Sequence, residues 1–235
     1  MKKQLIVPIG HTEEGPQQFL DLTQAGNTLV VGATGSGKSV FLHNAISHLT
    51  ARYDEQHVNL VLIDNKYVEF GRYKNLPHAK PFVAMTAEES LSILNWVVDQ
   101  IRSRQQVLVQ NDSCNILQYN ELTPCNKLAH IVVIVDEATH LLFDDECNQL
   151  LTTILEYGPS VGISTIVSLQ ALWEEVLTTE FRNRFQHTIC FRVSGEADSM
   201  ALFNRAGAEG LAQGECWYQN ASCQSINKVK VPFVK

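Results

Sequence analysis

Residues 28–40 read Thr-Leu-Val-Val-Gly32-Ala33-Thr34-Gly35-Ser36-Gly37-Lys38-Ser39-Val40. This stretch joins a short apolar run to the pattern G-x-x-x-x-G-K-[ST], which forms a phosphate-binding loop (P-loop) between a strand and a helix. Its glycines let the backbone turn N–H groups towards phosphates, and the following helix adds its positive N-terminal dipole. We therefore predict that residues 32–40 bind ATP, with Lys38 on the β- and γ-phosphates and the Ser39 hydroxyl on Mg²⁺.

Two carboxylates follow another apolar run. Ile131–Val135 reads as a buried strand, and Asp136 and Glu137 come directly after it. A carboxylate pair at this position is often only a solvated strand end. Beside a P-loop it has a use, because Asp136 can hold Mg²⁺ and Glu137 can act as general base on the attacking water.

Gln170 stands at the end of a later apolar run, Ile163–Leu169. A glutamine at this position can sense the γ-phosphate or orient the attacking water. It can equally be a turn residue, and its position alone does not decide between these roles.

Apolar runs alternate with helical patterns along the chain. This order predicts an α/β fold, a mainly parallel sheet flanked by helices and joined by right-handed crossovers. The predicted strands are Thr28–Val31, Val58–Ile63, Ile131–Val135, Ile163–Leu169 and Thr188–Val193. The predicted helices are Lys38–Leu49, Ala87–Val109, Glu146–Tyr157 and Gly195–Ala206.

We predict one domain over residues 1–235, with a mobile loop at the polar stretch Gln110–Lys127. Towards the C-terminus, Glu215–Tyr218 and Lys228–Val234 are predicted to form a small hairpin at the edge of the sheet.

The composition favours a cytoplasmic protein. No apolar run approaches the ~20 residues that cross a bilayer, and the apolar stretch at Leu5–Val7 is too short for a signal peptide. The six cysteines show neither Cys-x-x-Cys pairs nor zinc-finger spacing, so we read them as reduced thiols. The formal net charge of −7 argues mildly against a protein that coats DNA, although a small basic channel remains compatible with it.

Several further stretches are more specific than the P-loop. They are Leu62-Ile-Asp-Asn-Lys66, Leu76-Pro-His78, Asn95-Trp-Val-Val-Asp-Gln-Ile-Arg-Ser-Arg104, Cys114-Asn-Ile-Leu-Gln-Tyr-Asn120 and Phe191-Arg-Val-Ser194. Together they resemble the motor domain of FtsK/SpoIIIE-type DNA translocases, in the HerA/FtsK group of P-loop ATPases, from about Val7 to Val234. The resemblance implies a RecA-like sheet and a homo-hexameric ring. Such rings bind ATP between subunits and move double-stranded DNA through the centre.

The chain departs from this family where ATP hydrolysis is coupled to movement. The resemblance implies an arginine that reaches the neighbouring subunit's ATP, and Pro159 stands in its place. Three further family positions, usually basic, hold Ala171, Glu196 and Met200, whereas Arg182 is retained as the DNA-binding candidate.

A substitute for the missing arginine must come from elsewhere in the chain. Arg182, Arg184, Arg192 and Arg205 are the nearby candidates, and we favour Arg184 as the catalytic arginine. For each one, a solvated surface arginine is the simpler explanation.

Of three functions that fit the sequence, we favour the first. The first is an ATP-driven DNA translocase from a mobile element or conjugative system. The second is a coupling ATPase that recruits a relaxase or protein substrate to a transport channel, which suits Ala171, Glu196 and Met200. The third is a weakly hydrolysing, nucleotide-gated assembly protein, which suits Pro159. A relaxase, a replication initiator or a membrane-channel protein is the expected partner, and such a partner could recruit the chain to the membrane.

Overall fold

A computed structural model describes residues 4–12, 15–23, 26–173, 175 and 178–233. Its centre is a ten-stranded sheet with the order β2-β1-β10-β9-β8-β3-β7-β6-β4-β5. The strands are β1 (Ile6–Thr12), β2 (Gln17–Asp21), β3 (Thr28–Val31), β4 (Val58–Asp64), β5 (Ala79–Ala84), β6 (His130–Asp136), β7 (Ile163–Leu169), β8 (His187–Phe191), β9 (Glu215–Asn220) and β10 (Cys223–Lys230).

The six strands from β8 to β5 in this order pair in parallel, and the other four are antiparallel. Parallel strands covered on both faces read as continuous apolar runs, which is why β3, β4, β6 and β7 were recognisable from sequence. β7 lies between β3 and β6, so the P-loop strand and the Asp136 strand are separated by a single strand.

Helices cover both faces of the sheet, as predicted. They are α1 (Lys38–Arg52), α2 (Ala87–Gln110), α3 (Ile116–Leu122), α4 (Thr139–Phe143), α5 (Asp145–Tyr157), α6 (Thr179–Arg182) and α7 (Glu196–Phe203). On one face, α2 and α5 bury apolar residues such as Val97 and Leu151 against the strands. On the other face, α1 buries Phe41 and Leu42.

The predicted C-terminal hairpin exists, but the prediction that it lies at the edge of the sheet is wrong. β9 pairs with β8, and β10 pairs with β1. The edge on this side of the sheet is formed instead by β2, which pairs with β1 in an N-terminal hairpin that the sequence analysis missed. The predicted strand Lys228–Val234 is displaced to Cys223–Lys230, and Val234 lies outside the described residues.

The stretch Gln110–Lys127 differs from the predicted loop because it contains α3. The Asn115 side chain caps this helix by accepting a hydrogen bond from the Gln118 N–H at 3.0 Å. Ile116 is buried against Gly162, where a Cβ atom would lie 2.3 Å from the Ile116 Cδ1. The helix is therefore docked on the turn that precedes β7. Its mobility stays a prediction.

Within the described part of the chain, no helix combines the length and apolar character needed to span a bilayer.

Candidate nucleotide site

The P-loop runs from the carboxyl end of β3 to the first turn of α1. Neighbouring segments anchor its backbone: the Ala33 N–H donates to the Arg192 carbonyl at 2.8 Å, and the Gly214 N–H donates to the Ser36 carbonyl at 2.9 Å. Gly37 has a φ of 123°, and a Cβ there would lie 3.1 Å from the Phe191 ring. Both the backbone conformation and the close packing therefore require glycine at residue 37.

The N-terminus of α1 is open to an anion. Its N-cap residue is Gly37, which has no side chain that could cap the helix. The first turn of α1 contains no acidic residue. The Ser36 hydroxyl is buried and has no hydrogen-bond partner in the described part of the chain. Unpaired N–H groups, a positive helix end and an unpaired hydroxyl fit a phosphate group.

Lys38 folds back over the loop. Its ammonium donates to the Gly32 carbonyl and, at 3.3 Å, to the Ala33 carbonyl. Burial lowers the pKa of Lys38, and the carboxylates of Glu137 and Asp136 oppose that shift. The predicted cation thus lies within electrostatic reach of both predicted carboxylates.

Asp136 ends β6, in register with Asp64 at the end of β4. Its side chain is buried and accepts a hydrogen bond of 3.4 Å from the Ser168 hydroxyl of β7. Burial raises the pKa of Asp136 to about 6, and the Lys66 ammonium opposes the increase. A buried carboxylate beside the P-loop suits a divalent cation, and Ser39 and Asp136 are the residues that could hold Mg²⁺.

Glu137 is held by three neighbours. The Thr139 hydroxyl donates to Oε1, and the Lys66 ammonium lies 3.4 Å from Oε2. The Asn65 amide donates to the Glu137 backbone carbonyl at 3.1 Å. The φ of Glu137 is 56°, a left-handed conformation that costs roughly 1–3 kcal/mol in a non-glycine residue. The fold therefore keeps Glu137 in one strained position.

The loop after β4 is responsible for the position of Lys66. The buried Asp64 carboxylate accepts hydrogen bonds from the Lys66 N–H at 3.1 Å and from the Glu69 and Phe70 N–H groups at 2.8 Å. The sequence analysis did not predict the contact between Lys66 and Glu137. The only sequence signal for this contact was the position of Lys66, two residues after Asp64 at the end of an apolar run.

The remaining predicted residues are placed as follows. Gln170 follows the carboxyl end of β7, between the P-loop strand and the Asp136 strand. The guanidinium of Arg182 donates to the Ala201 carbonyl of α7 and to the Thr179 hydroxyl at 3.2 Å. Arg184 pairs with Glu180 at 3.0 Å and with Glu156 at 3.6 Å. Gln170 is near the site, whereas Arg182 and Arg184 are held by other parts of the chain.

The pKa of Asp136 predicts a pH-dependent metal affinity. Because Mg²⁺ must displace the proton that Asp136 carries below about pH 6, apparent Mg²⁺ affinity should fall up to tenfold per pH unit below that value. The measurement is Mg²⁺ titration of fluorescent ATP-analogue binding between pH 5 and 8. Asp136→Asn should bind Mg²⁺ weakly. Its Mg²⁺ affinity should keep only the pH dependence that comes from titration of the nucleotide itself. Identical pH profiles for the two proteins would contradict this assignment.

Comparison with known proteins agrees with this geometry. The FtsK/SpoIIIE family profile matches residues 1–154. The chain is 29% identical to the DNA translocase FtsK of Caldanaerobacter subterraneus over 236 aligned residues, covering 99% of this chain and 33% of that protein. It is 30% identical to the DNA translocase SftA of Bacillus subtilis, covering 89% of this chain and 23% of that protein. The chain thus spans a third or less of the length of these curated relatives.

Solved structures that share the fold include the following two. One is the pCW3 conjugation coupling protein TcpA in a monomer form with ATPγS, with a TM-score of 0.86 and 22% identity over 100% of this chain and 68% of that chain. The other is the cytoplasmic domain of the type VII secretion ATPase EccC of Thermomonospora curvata, with a TM-score of 0.86 and 24% identity over 98% of this chain and 29% of that chain. The family match covers more than half of the chain, and the folds agree. The chain belongs to the FtsK/SpoIIIE family.

Proposed function

We propose that this chain binds ATP with Mg²⁺ and hydrolyses it. One observation carries the proposal. The fold brings Lys38 close to Asp136 and Glu137 at the carboxyl ends of β3 and β6, although about a hundred residues separate Lys38 from these two carboxylates in sequence. The open N-terminus of α1 and the unpaired Ser36 hydroxyl supply the phosphate contacts.

Each group has a role in the reaction. P-loop amides and the Lys38 ammonium bind the β- and γ-phosphates, and Ser39 and Asp136 hold the metal. Mg²⁺, when bound, neutralises charge that develops on the phosphate oxygens. Glu137 accepts the proton of the attacking water, and Lys66 and Thr139 fix the direction of its carboxylate. Gln170, which directly follows β7, is proposed to orient that water or to contact the γ-phosphate.

The work done by this ATPase is proposed to be the movement of double-stranded DNA by a homo-hexamer. FtsK and SftA, which are DNA translocases, support this reading because their sequences match almost the whole chain. Arg182 is the residue of this chain proposed to contact DNA, which requires its guanidinium to leave the Ala201 carbonyl.

A coupling ATPase is the second candidate, and particular residues favour it. At two positions where the family is usually basic, Glu196 and Met200 are exposed, Met200 by 42%. In this version the chain works in the cytoplasm and is recruited to a membrane channel by its partner, with a relaxase or a replication initiator as the associated protein.

ATP turnover with and without linear duplex DNA separates these functions. Stimulation by DNA together with displacement of a third strand from a triplex supports translocation, and both should vanish in Lys38→Ala. Stimulation by a protein partner but not by DNA supports the coupling role. Tight ATP binding with negligible turnover at high protein concentration would indicate the assembly role instead.

A further inference from the structure

The middle of the chain is strongly acidic. Residues 128–181 contain no lysine and no arginine. Their acidic residues are Asp136, Glu137, Asp144, Asp145, Glu146, Glu156, Glu174, Glu175 and Glu180. Two of these belong to the nucleotide site. The others are left without a role in nucleotide chemistry.

A groove of about 460 Å³ lies where this acidic stretch meets the start of α2. Met85, Leu91 and Leu141 give it an apolar surface, and the carboxylates of Glu88 and Asp144 line it as well. No lysine or arginine is found among the described residues that line it. We call this feature the acidic groove.

One exposed aromatic side chain lines the acidic groove, and two more lie next to the segment that contains Asp144. Tyr67 lines it and is 59% exposed, and its φ of 64° is a left-handed conformation that is unfavourable for a tyrosine. Phe143, which directly precedes Asp144, is 52% exposed and packs edge-on against Trp173, with ring centroids 6.3 Å apart. Trp173 is itself 49% exposed, rather than packed in the core. Exposed aromatic residues beside a concave apolar surface are typical of protein-binding sites.

Two carboxylates of the acidic groove lie at the N-terminal ends of helices. Glu88 lies in the first turn of α2 and Asp144 caps α5, so both lie at positive helix ends. A hydrogen bond from the Cys147 N–H helps to lower the pKa of Asp144. Lys66 follows a groove residue in sequence, but its ammonium is paired with Glu137. The groove therefore presents negative charge, which repels phosphate backbones and attracts basic polypeptides.

We propose that the acidic groove binds a basic, partly apolar segment of a partner protein. An apolar side chain of that segment enters between Leu91 and Leu141, Phe143 and Trp173 cover its flank, and its lysine or arginine residues face Glu88 and Asp144. This interaction uses neither the P-loop nor the catalytic carboxylate. The proposed interaction is therefore independent of the proposed ATPase function.

Labelled synthetic peptides test the proposal by fluorescence anisotropy. Three twelve-residue peptides are compared: one with alternating lysine and leucine residues, one with glutamate in place of lysine, and one with serine in place of leucine. The full-length chain should bind the lysine–leucine peptide, and the other two at least about tenfold more weakly.

Two variants locate the contact. The double variant Glu88→Gln/Asp144→Asn removes both groove charges, and asparagine preserves the N-cap of α5. It should weaken the lysine–leucine complex about fivefold to tenfold, because exposed ion pairs each contribute only modestly to affinity. Phe143→Ser/Trp173→Ala should weaken it at least tenfold.

The matched control is Glu55→Gln/Asp112→Asn. It removes the same amount of charge from exposed positions, one in the turn before β4 and one directly after the C-terminal end of α2. Asp112 is about 36 Å from the groove end of α2, because a helix rises about 1.5 Å per residue. The control should bind the peptide like the wild type, and unchanged melting temperatures show that all variants fold.

Three results would overturn the proposal. The first is equal weakening by groove and control variants, which means that only total charge matters. The second is a groove variant that loses binding to a DNA duplex but not to the peptide. The third is a groove variant that loses ATP-dependent self-association while peptide binding is unchanged, which would make a second copy of the chain the occupant.

Discussion

Replacing Glu137 with glutamine should lower kcat for ATP hydrolysis by about 10²–10⁴-fold and leave ATP affinity within a few fold of the wild type. The amide is close in shape to the carboxylate and can still accept the Thr139 hydrogen bond. It cannot accept a proton from water. The loss therefore falls on the chemical step, while the P-loop and Lys38 continue to hold the nucleotide.

Turnover and equilibrium binding of a fluorescent ATP analogue are the two measurements. Glu146→Gln is the control, because Glu146 is an exposed carboxylate in the first turn of α5. This control should keep wild-type kcat. If Glu137→Gln turns over within threefold of the wild type, the general base lies elsewhere. If it loses ATP affinity instead, Glu137 has a structural role at the site.

Arg184→Ala should lower kcat by about 10³-fold or more, because an arginine that stabilises transition-state charge contributes 10³–10⁵ in rate. The Arg184 carbonyl accepts a hydrogen bond of 3.0 Å from Asn27, which precedes β3. Its guanidinium lies 3.6 Å from Glu156, a few residues before Pro159. Arg184 therefore lies at the same end of the strands as Pro159, which replaces the family arginine.

This position excludes action on the chain's own nucleotide. Five residue steps separate Asn27 from Gly32, roughly 16 Å along an extended strand at ~3.3 Å per residue. Arg184 is thus at the amino end of β3, opposite the P-loop. It would have to reach a neighbouring subunit, which requires its guanidinium to leave the carboxylates of Glu156 and Glu180 and the Glu180 carbonyl.

Mixing two inactive variants tests this directly. Lys38→Ala subunits cannot use ATP but retain Arg184, and Arg184→Ala subunits bind ATP but lack the arginine. Their mixture should recover turnover that neither variant shows alone. Arg182→Ala is the matched control and should keep most of the wild-type rate without DNA. Wild-type turnover by Arg184→Ala, or a mixture that stays inactive, would rule Arg184 out as an arginine supplied to a neighbour.

Several elements were recognisable from sequence because their signals are local. The apolar runs at β3 and β7 have the predicted bounds, and α2 begins at the predicted residue, Ala87. β1 and β2 escaped recognition because an antiparallel edge hairpin mixes polar and apolar residues. α3 escaped because its seven residues include only two that are buried, Ile116 and Tyr119.

The sequence by itself determined the phosphate loop, the carboxylates at the end of β6 and the alternation that makes the sheet parallel. Each of these depends on residues close together in the chain, where spacing alone fixes geometry. Only the tertiary structure decided that Lys66 and Thr139 hold Glu137, that Arg184 pairs with Glu156, and that Tyr67 borders the acidic groove. Such contacts depend on strand order, loop conformation and side-chain burial, which are set by packing between distant segments.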